Sequence, residues 1–169
     1  MSALPLVAFI VLMAPLCYSS LESDNGFLYG AMIDAGSSGT RLSIYKWIRP
    51  TSGGGSTRHP IAPTLLTNPS FKIKPGLSSF SSNSSSAGAS LAPLLKKAVS
   101  FMVSLNVLVP MEEIPVYLKA TGGLRLLPTS VQAAIIKSVN DFLSSSECLF
   151  YFVPGMARVI SGEEEGMFG

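Results

Sequence analysis

The sequence predicts an α/β fold, a layer of helices packed on one sheet, and three observations carry that prediction. Two β-type runs, Leu28 to Ile33 and Leu42 to Ile48, flank a glycine-serine turn. Apolar residues then fall at helical spacing after Ser90 and again after Pro128. A short strand-like run follows each of these helices, Ile114 to Ala120 and Leu149 to Val153, and alternation of this kind argues for helices layered on a sheet. The chain of 169 residues, 47% hydrophobic and 13% charged, suffices for one core, which we place in residues 27–169.

Taken in order, the first run is short, apolar and flanked by glycines, the second is rich in β-branched and aromatic residues, and the turn Ala35 to Gly39 joins them as a hairpin. From Pro50 to about Ser90, Ser, Gly, Pro and Thr dominate, with low-complexity patches at Gly53-Gly54-Gly55 and Ser81 to Ser86, and this reads as long surface loops. Within it, Phe71 to Lys74 forms a strand ending at Pro75-Gly76. Leu91, Leu94, Leu95, Ala98, Met102 and Leu105 line one helix face, with Pro93 tolerated in the first turn. After Pro128, Thr129-Ser130-Val131-Gln132 reads as a capping box for a helix with Val131, Ile135, Ile136, Val139, Phe142 and Leu143 on one face. No internal repeat is visible.

Charge excludes one class of partner. Twelve basic and ten acidic residues give a net charge of +2 without any like-charged block, so nothing marks a nucleic-acid surface. Much of the positive mean hydropathy, +0.43, comes from Leu4 to Leu16. That run of about 13 residues is shorter than the ~20 a spanning helix needs, and reads as a signal-peptide core within residues 1–20, with Ser19 and Ser20 as small residues for cleavage. Membrane anchoring is then available only through this segment, if it stays uncleaved. Cys17 lies in or beside it, which leaves Cys148 as a buried thiol or the partner of a cysteine elsewhere. The sequon Asn83-Ser84-Ser85 suits a secretory-pathway loop.

Three segments carry chemistry. Asp34-Ala35-Gly36-Ser37-Ser38-Gly39-Thr40-Arg41 sits between two strands, and its glycines, successive amides, hydroxyls and arginine suit a phosphate, while Asp34 suits a divalent cation or its water. The same residues also make an ordinary hairpin turn. Lys119-Ala120-Thr121-Gly122-Gly123-Leu124-Arg125 leaves a strand at its carboxyl end, the edge where α/β sheets bind ligands. Thr121 and the amides of Gly122 and Gly123 are the contacts offered there, with Arg125 read as structural; a plain strand-to-helix loop has the same composition. In Ser161-Gly162-Glu163-Glu164-Glu165-Gly166, the three carboxylates are the acidic first turn of a helix or include one general base, and composition does not choose among them. There is no Walker loop, zinc-ligand cluster or nucleophile triad, and His59, the only histidine, has no assigned role.

Together these segments resemble the conserved regions of the nucleoside triphosphate diphosphohydrolase (apyrase) family: the first in Asp34 to Leu42, the second in Ala120 to Pro128, the third in Ile160 to Gly169. Lys74-Pro75-Gly76-Leu77-Ser78-Ser79-Phe80 looks like a further family segment between the first two. The resemblance runs from about Tyr29 to Gly169. It implies an actin-like, ribonuclease-H-like domain, the first of two around a nucleotide cleft, and hydrolysis of the terminal phosphate of nucleoside tri- or diphosphates with Ca2+ or Mg2+. By the motif, Glu165 matches the water-activating base, Ser37, Ser38, Gly39, Thr40 and Arg41 the first phosphate loop, Thr121 with Gly122 the second, and Asp34 the acid holding the metal's water. The implied compartment is the secretory pathway, as a secreted protein or in the Golgi or endoplasmic reticulum lumen.

Two departures stand out. Where the family usually reads Ala-Thr-Ala-Gly, this chain has Ala120-Thr121-Gly122-Gly123, which frees the backbone at Gly122. The sequence also stops at Gly169, inside the third motif, and lacks a second phosphate loop. Phosphoryl transfer needs positioning from both sides of the phosphate, so this chain alone is expected to be a poor catalyst and at most a nucleotide-binding or interaction fragment.

Overall fold

The computed structural model describes residues 26–48 and 62–164. The leader with Cys17, the Gly53 to Gly55 patch, His59 and Glu165 lie outside the described residues. The hairpin expected at the start is present at full length. β1 (Phe27–Gly36) pairs antiparallel with β2 (Gly39–Ile48), from Phe27 opposite Ile48 to Gly36 opposite Gly39, with Ser37 and Ser38 as the two-residue turn.

Alternation along the strands separates two faces. Ala31, Ile33 and Ala35 of β1 and Leu42 and Ile44 of β2 are buried, whereas Met32, Asp34, Arg41, Ser43 and Tyr45 between them retain exposure. The short strands β3 (Thr64–Leu65) and β4 (Phe71–Ile73) both pair antiparallel with β2. On the other side of β1 lie β5 (Val116–Ala120), parallel to it, and then β6 (Ala157–Val159), parallel to β5. The strand order is β3-β2-β1-β5-β6, with β4 also on β2.

Two helices cover the buried face. α1 (Ala92–Ser104) buries Leu94, Leu95, Ala98 and Met102, with Pro93 in its first turn as expected. A four-residue helix α2 (Gly122–Arg125) follows β5 directly, and α3 (Thr129–Leu143) buries Ile135, Val139, Phe142 and Leu143. These residues join Ile33, Leu42, Ile44, Val116 and Leu118 in one cluster, each fully buried Leu or Ile contributing ~1.5–3 kcal/mol.

Three expectations need correction. The serine-rich stretch is not simply surface loop: Leu77, Ala87 and Leu91 are fully buried, and the 3-10 turns Leu77–Phe80, Ser84–Ser86 and Ala89–Leu91 carry it into the core. Small residues permit this. Gly88 lies against the Ser138 carbonyl and 2.6 Å, at an ideal Cβ, from Phe142 Cβ, while Ser138 Oγ accepts from Gly88 N at 3.0 Å and donates to Ser85 O at 2.8 Å. Asn83 stays exposed on this stretch.

The capping box at Thr129 does not form. Thr129 is already the first helical residue, the preceding Pro128 is extended, and no side chain caps the helix. Gln132 instead donates from Nε2 to Leu127 O at 2.8 Å, satisfying a carbonyl of the short connection between α2 and α3.

Leu149 to Val153 is likewise not a strand of the sheet; only Tyr151 bridges, to Pro115. A turn at Val153-Pro154-Gly155-Met156 follows the run, with Gly155 at φ +100° and Met156 N donating to Val153 O at 3.1 Å, the geometry that Pro-Gly favours. Pairing resumes in β6. Cys148 takes the first of its two alternatives, a buried thiol 3.8 Å from the Phe150 carbonyl, with burial pushing its pKa up.

Candidate active site

β1 and β5 run parallel, so their carboxyl ends open at the same edge, and there the two glycine-rich segments meet. Ala35 stands opposite Ala120, and Thr121 N donates to Ala35 O at 3.2 Å, locking the start of the second loop to the end of β1. Between them is a cleft of about 530 Å³. Its hairpin wall is Asp34, Gly36, Ser37, Ser38, Gly39 and Arg41; its other wall is Thr121, Gly122, Gly123, Arg125 and Leu126.

Glycine makes this meeting sterically feasible. A Cβ on Gly123 would sit 2.7 Å from Ser37 Cα and 3.0 Å from Ser37 N, distances that real Cβ atoms do not show. Thr121 is the extended residue that precedes α2, so the amides of Gly122 and Gly123 have no acceptor within the helix, whereas Leu124 N donates to Thr121 O at 3.1 Å.

Of the sequence-derived site residues, the fold brings Asp34, Ser37, Ser38, Gly39, Arg41, Thr121 and Gly122 to one cleft. Thr40 is not on its wall. It is fully buried on the helix-covered face, and its hydroxyl has no hydrogen-bond partner among the described residues.

Charge is ordered across the strands. Arg41, Asp34, Lys119 and Arg158 occupy successive register positions on β2, β1, β5 and β6, a row of roughly 14 Å at the usual ~4.8 Å strand spacing. Arg41 Nη1 lies 4.0 Å from Asp34 Oδ2, both side chains about half exposed, a pairing worth ~0–1 kcal/mol. Lys119 has its pKa lowered, first by desolvation and then by the Arg158 charge, with Glu164 opposing. Among the described residues no three His, Cys, Asp or Glu side chains converge on one point.

The third segment carries a cap that the sequence reading overlooked. Ser161 N donates to Glu164 Oε2 at 3.0 Å and Glu164 N donates to Ser161 Oγ at 3.1 Å, the reciprocal pair of a Ser-x-x-Glu box. Glu164 also meets Arg158 at 2.7 Å, and this hydrogen bond, followed by the Ser161 amide, holds its pKa below the usual value. Of the three adjacent glutamates, Glu164 is thus committed to structure. Arg125 Nη1 donates to Ile160 O at 3.1 Å and ties the second loop to the third segment.

With this geometry in hand, comparison with known proteins is decisive for the family. Residues 20–169 match the GDA1/CD39 (nucleoside phosphatase) family. The chain belongs to that family. It is 40% identical over 144 residues to the guanosine-diphosphatase of Saccharomyces cerevisiae, covering 83% of this chain and 24% of that protein. To the Golgi apyrase of the same yeast it is 33% identical over 151 residues, covering 83% and 23%. The chain therefore spans about a quarter of the length of these GDA1/CD39 relatives. Among solved structures it resembles the nucleoside triphosphate hydrolases of Neospora caninum, with TM-score 0.57, 19% identity and coverage of 96% of this chain and 33% of that one. At that identity the likeness concerns fold alone, and the actin-like class expected from the motifs is the fold observed.

Proposed function

We propose that this GDA1/CD39 chain carries the first phosphate-binding half of an enzyme that hydrolyses the terminal phosphate of nucleoside tri- or diphosphates. The observation that carries the reading is the meeting of two glycine-rich loops, with Asp34 and Arg41, at the shared carboxyl edge of β1 and β5. Backbone amides of Ser37 and Ser38 and of Gly122 and Gly123 hold phosphate oxygens, Gly39 closes the turn beside them, the Thr121 hydroxyl adds a donor, and Arg41 adds fixed charge.

A single wall carboxylate fits Ca2+ or Mg2+, because Mg2+ in particular keeps several waters and relies on one or two carboxylates plus substrate phosphates. Asp34 would hold such an ion through water, and the ion would neutralise charge on the phosphate oxygens. Glu165 takes a proton from the attacking water; the new bond joins water oxygen to phosphorus, and the bond to the leaving nucleotide oxygen breaks. The cap and ion pair of Glu164 support giving that role to its neighbour Glu165.

Leu4 to Leu16 directs the chain to the secretory pathway, with the Golgi favoured over secretion by its similarity to the yeast Golgi apyrase. Among the described residues no helix is long and apolar enough to cross a membrane. The test is phosphate release from ATP, ADP, UDP and GDP with Ca2+, Mg2+ or chelator, by this chain and by a form extended to the length of its relatives. Chelator-sensitive turnover by the long form that disappears in Glu165→Gln is the expected result; an inert long form leaves only nucleotide binding.

A further inference from the structure

The segment Lys74-Pro75-Gly76-Leu77 packs against the first glycine-rich turn. We infer that Gly76 is a positioning residue which sets the direction of the Ser37 and Ser38 amides in the cleft. The inference rests on the reading of that turn as a phosphate loop.

Gly76 is buried and packs directly beneath the turn. A Cβ built on it would collide with the Gly36 carbonyl oxygen and would lie 2.8 Å from Ser37 O and 3.0 Å from Gly39 N. Both carbonyls that precede the turn amides therefore face Gly76. In a planar trans peptide the N–H points opposite to the C=O, so the amides of Ser37 and Ser38 point away from Gly76. Gly123 meets Ser37 from the second loop, and it lines the cleft with Ser37 and Ser38 whereas Gly76 does not.

The segment is anchored for this task. Leu77 is fully buried next to Gly76, and β4 just before it pairs with β2, with Ile73 opposite Thr40 and Lys72 opposite Arg41. Gly39 is held from the same segment, since a Cβ there would sit 2.7 Å from Ile73 O. The turn is thus gripped between Gly76 and Gly123, and a side chain at position 76 must push it toward the cleft. An anion site made of amides is sensitive to such a shift, because a displacement of about 1 Å can cost on the order of 100-fold where positioning carries the function.

The experiment uses the full chain and inorganic pyrophosphate as probe, with backbone amide NMR shifts as readout. Wild-type protein should show saturable shifts at Ser37, Ser38 and Gly123. Gly76→Ala should alter the shifts of residues 37–39 before any ligand is added and weaken pyrophosphate binding by at least about tenfold. Gly88→Ala is the matched control, because a Cβ there meets Ser138 and Phe142 just as closely but away from the cleft. It should lose stability and keep the affinity of its folded fraction.

If Gly76→Ala fails to fold, Pro75→Ala decides: Pro75 is exposed, so its replacement adds no clash while loosening the segment, and affinity should fall severalfold in a folded protein. Affinity unchanged in the folded variant, or lowered no more than in Gly88→Ala, overturns the inference while the phosphate reading stands. Wild-type protein that does not respond to pyrophosphate overturns the phosphate reading, and the inference with it.

Discussion

Gly123 approaches Ser37 so closely that the two loops of the cleft share one van der Waals surface, with no room for a methyl group between them. Its neighbour Gly122 is different: the nearest atom to a Cβ there is Arg125 Nη2 at 3.5 Å, an ordinary contact. Adjacent glycines in one loop therefore have opposite requirements.

Gly123→Ala should destabilise the fold by about 1–3 kcal/mol, the usual cost of overpacking, and reduce pyrophosphate binding. Gly122→Ala, which restores the residue the family usually carries, should instead stabilise by about 0.4–1 kcal/mol through the unfolded chain. Thermal unfolding of the two variants beside wild type checks both signs; a stabilised Gly123→Ala would mean that the loops are not in contact.

Much of this architecture was legible in the sequence where local chemistry and tertiary demand agree. The hairpin, α1, α3 and β5 follow from alternation and helical periodicity, and the cleft follows from two glycine-rich segments placed at strand ends. The misreadings have specific causes. Ser-x-x-Glu at Ser161 was a capping signal present in the sequence but masked by the neighbouring glutamates, while Thr129 to Gln132 had the pattern without the geometry. The last strand falls after the Pro154-Gly155 turn, in the less apolar Ala157–Val159, and composition instead favours the apolar run Leu149 to Val153 before it. The tight packing of Gly76 and Gly88 had no local signature, because it is set by residues far away in the chain.

The Glu164 cap makes a prediction about acid. Its folded pKa lies below the usual 4.5, so the stability it contributes is complete above pH 4.5 and is lost as the pH falls through the folded value. Glu164→Gln keeps an oxygen able to accept from the Ser161 amide but removes the charge facing Arg158. The variant should therefore be less stable than wild type at pH 7, with the gap closing as the solution is acidified below pH 4.5. Urea unfolding midpoints at a series of pH values test this, and a gap that persisted at the acid end would assign the effect to the cap geometry alone.

Thr40 separates core from cleft. Its buried hydroxyl lacks a partner among the described residues, so Thr40→Val removes a polar atom at constant shape and should stabilise the protein by roughly 1 kcal/mol. Pyrophosphate affinity should be unchanged. Loss of binding in Thr40→Val would mean that the hydroxyl turns into the phosphate loop when ligand is present.

Asp34 lies between cations on both neighbouring strands, Arg41 on β2 and Lys119 on β5, and this gives its substitution two opposite effects. Without a divalent ion, a carboxylate on the cleft wall repels an incoming phosphate and competes with it for the Arg41 guanidinium, 4.0 Å away. Asp34→Asn removes that repulsion, so in chelator the variant should bind pyrophosphate at least as tightly as wild type. With Mg2+ present the proposed role of Asp34 predicts the reverse order, because a neutral amide would hold a hydrated cation more weakly than a carboxylate does. Isothermal titration of both proteins, with Mg2+ and with chelator, reads the crossing directly. Parallel curves under the two conditions would remove Asp34 from the metal's surroundings and leave it as a partner of Arg41 alone.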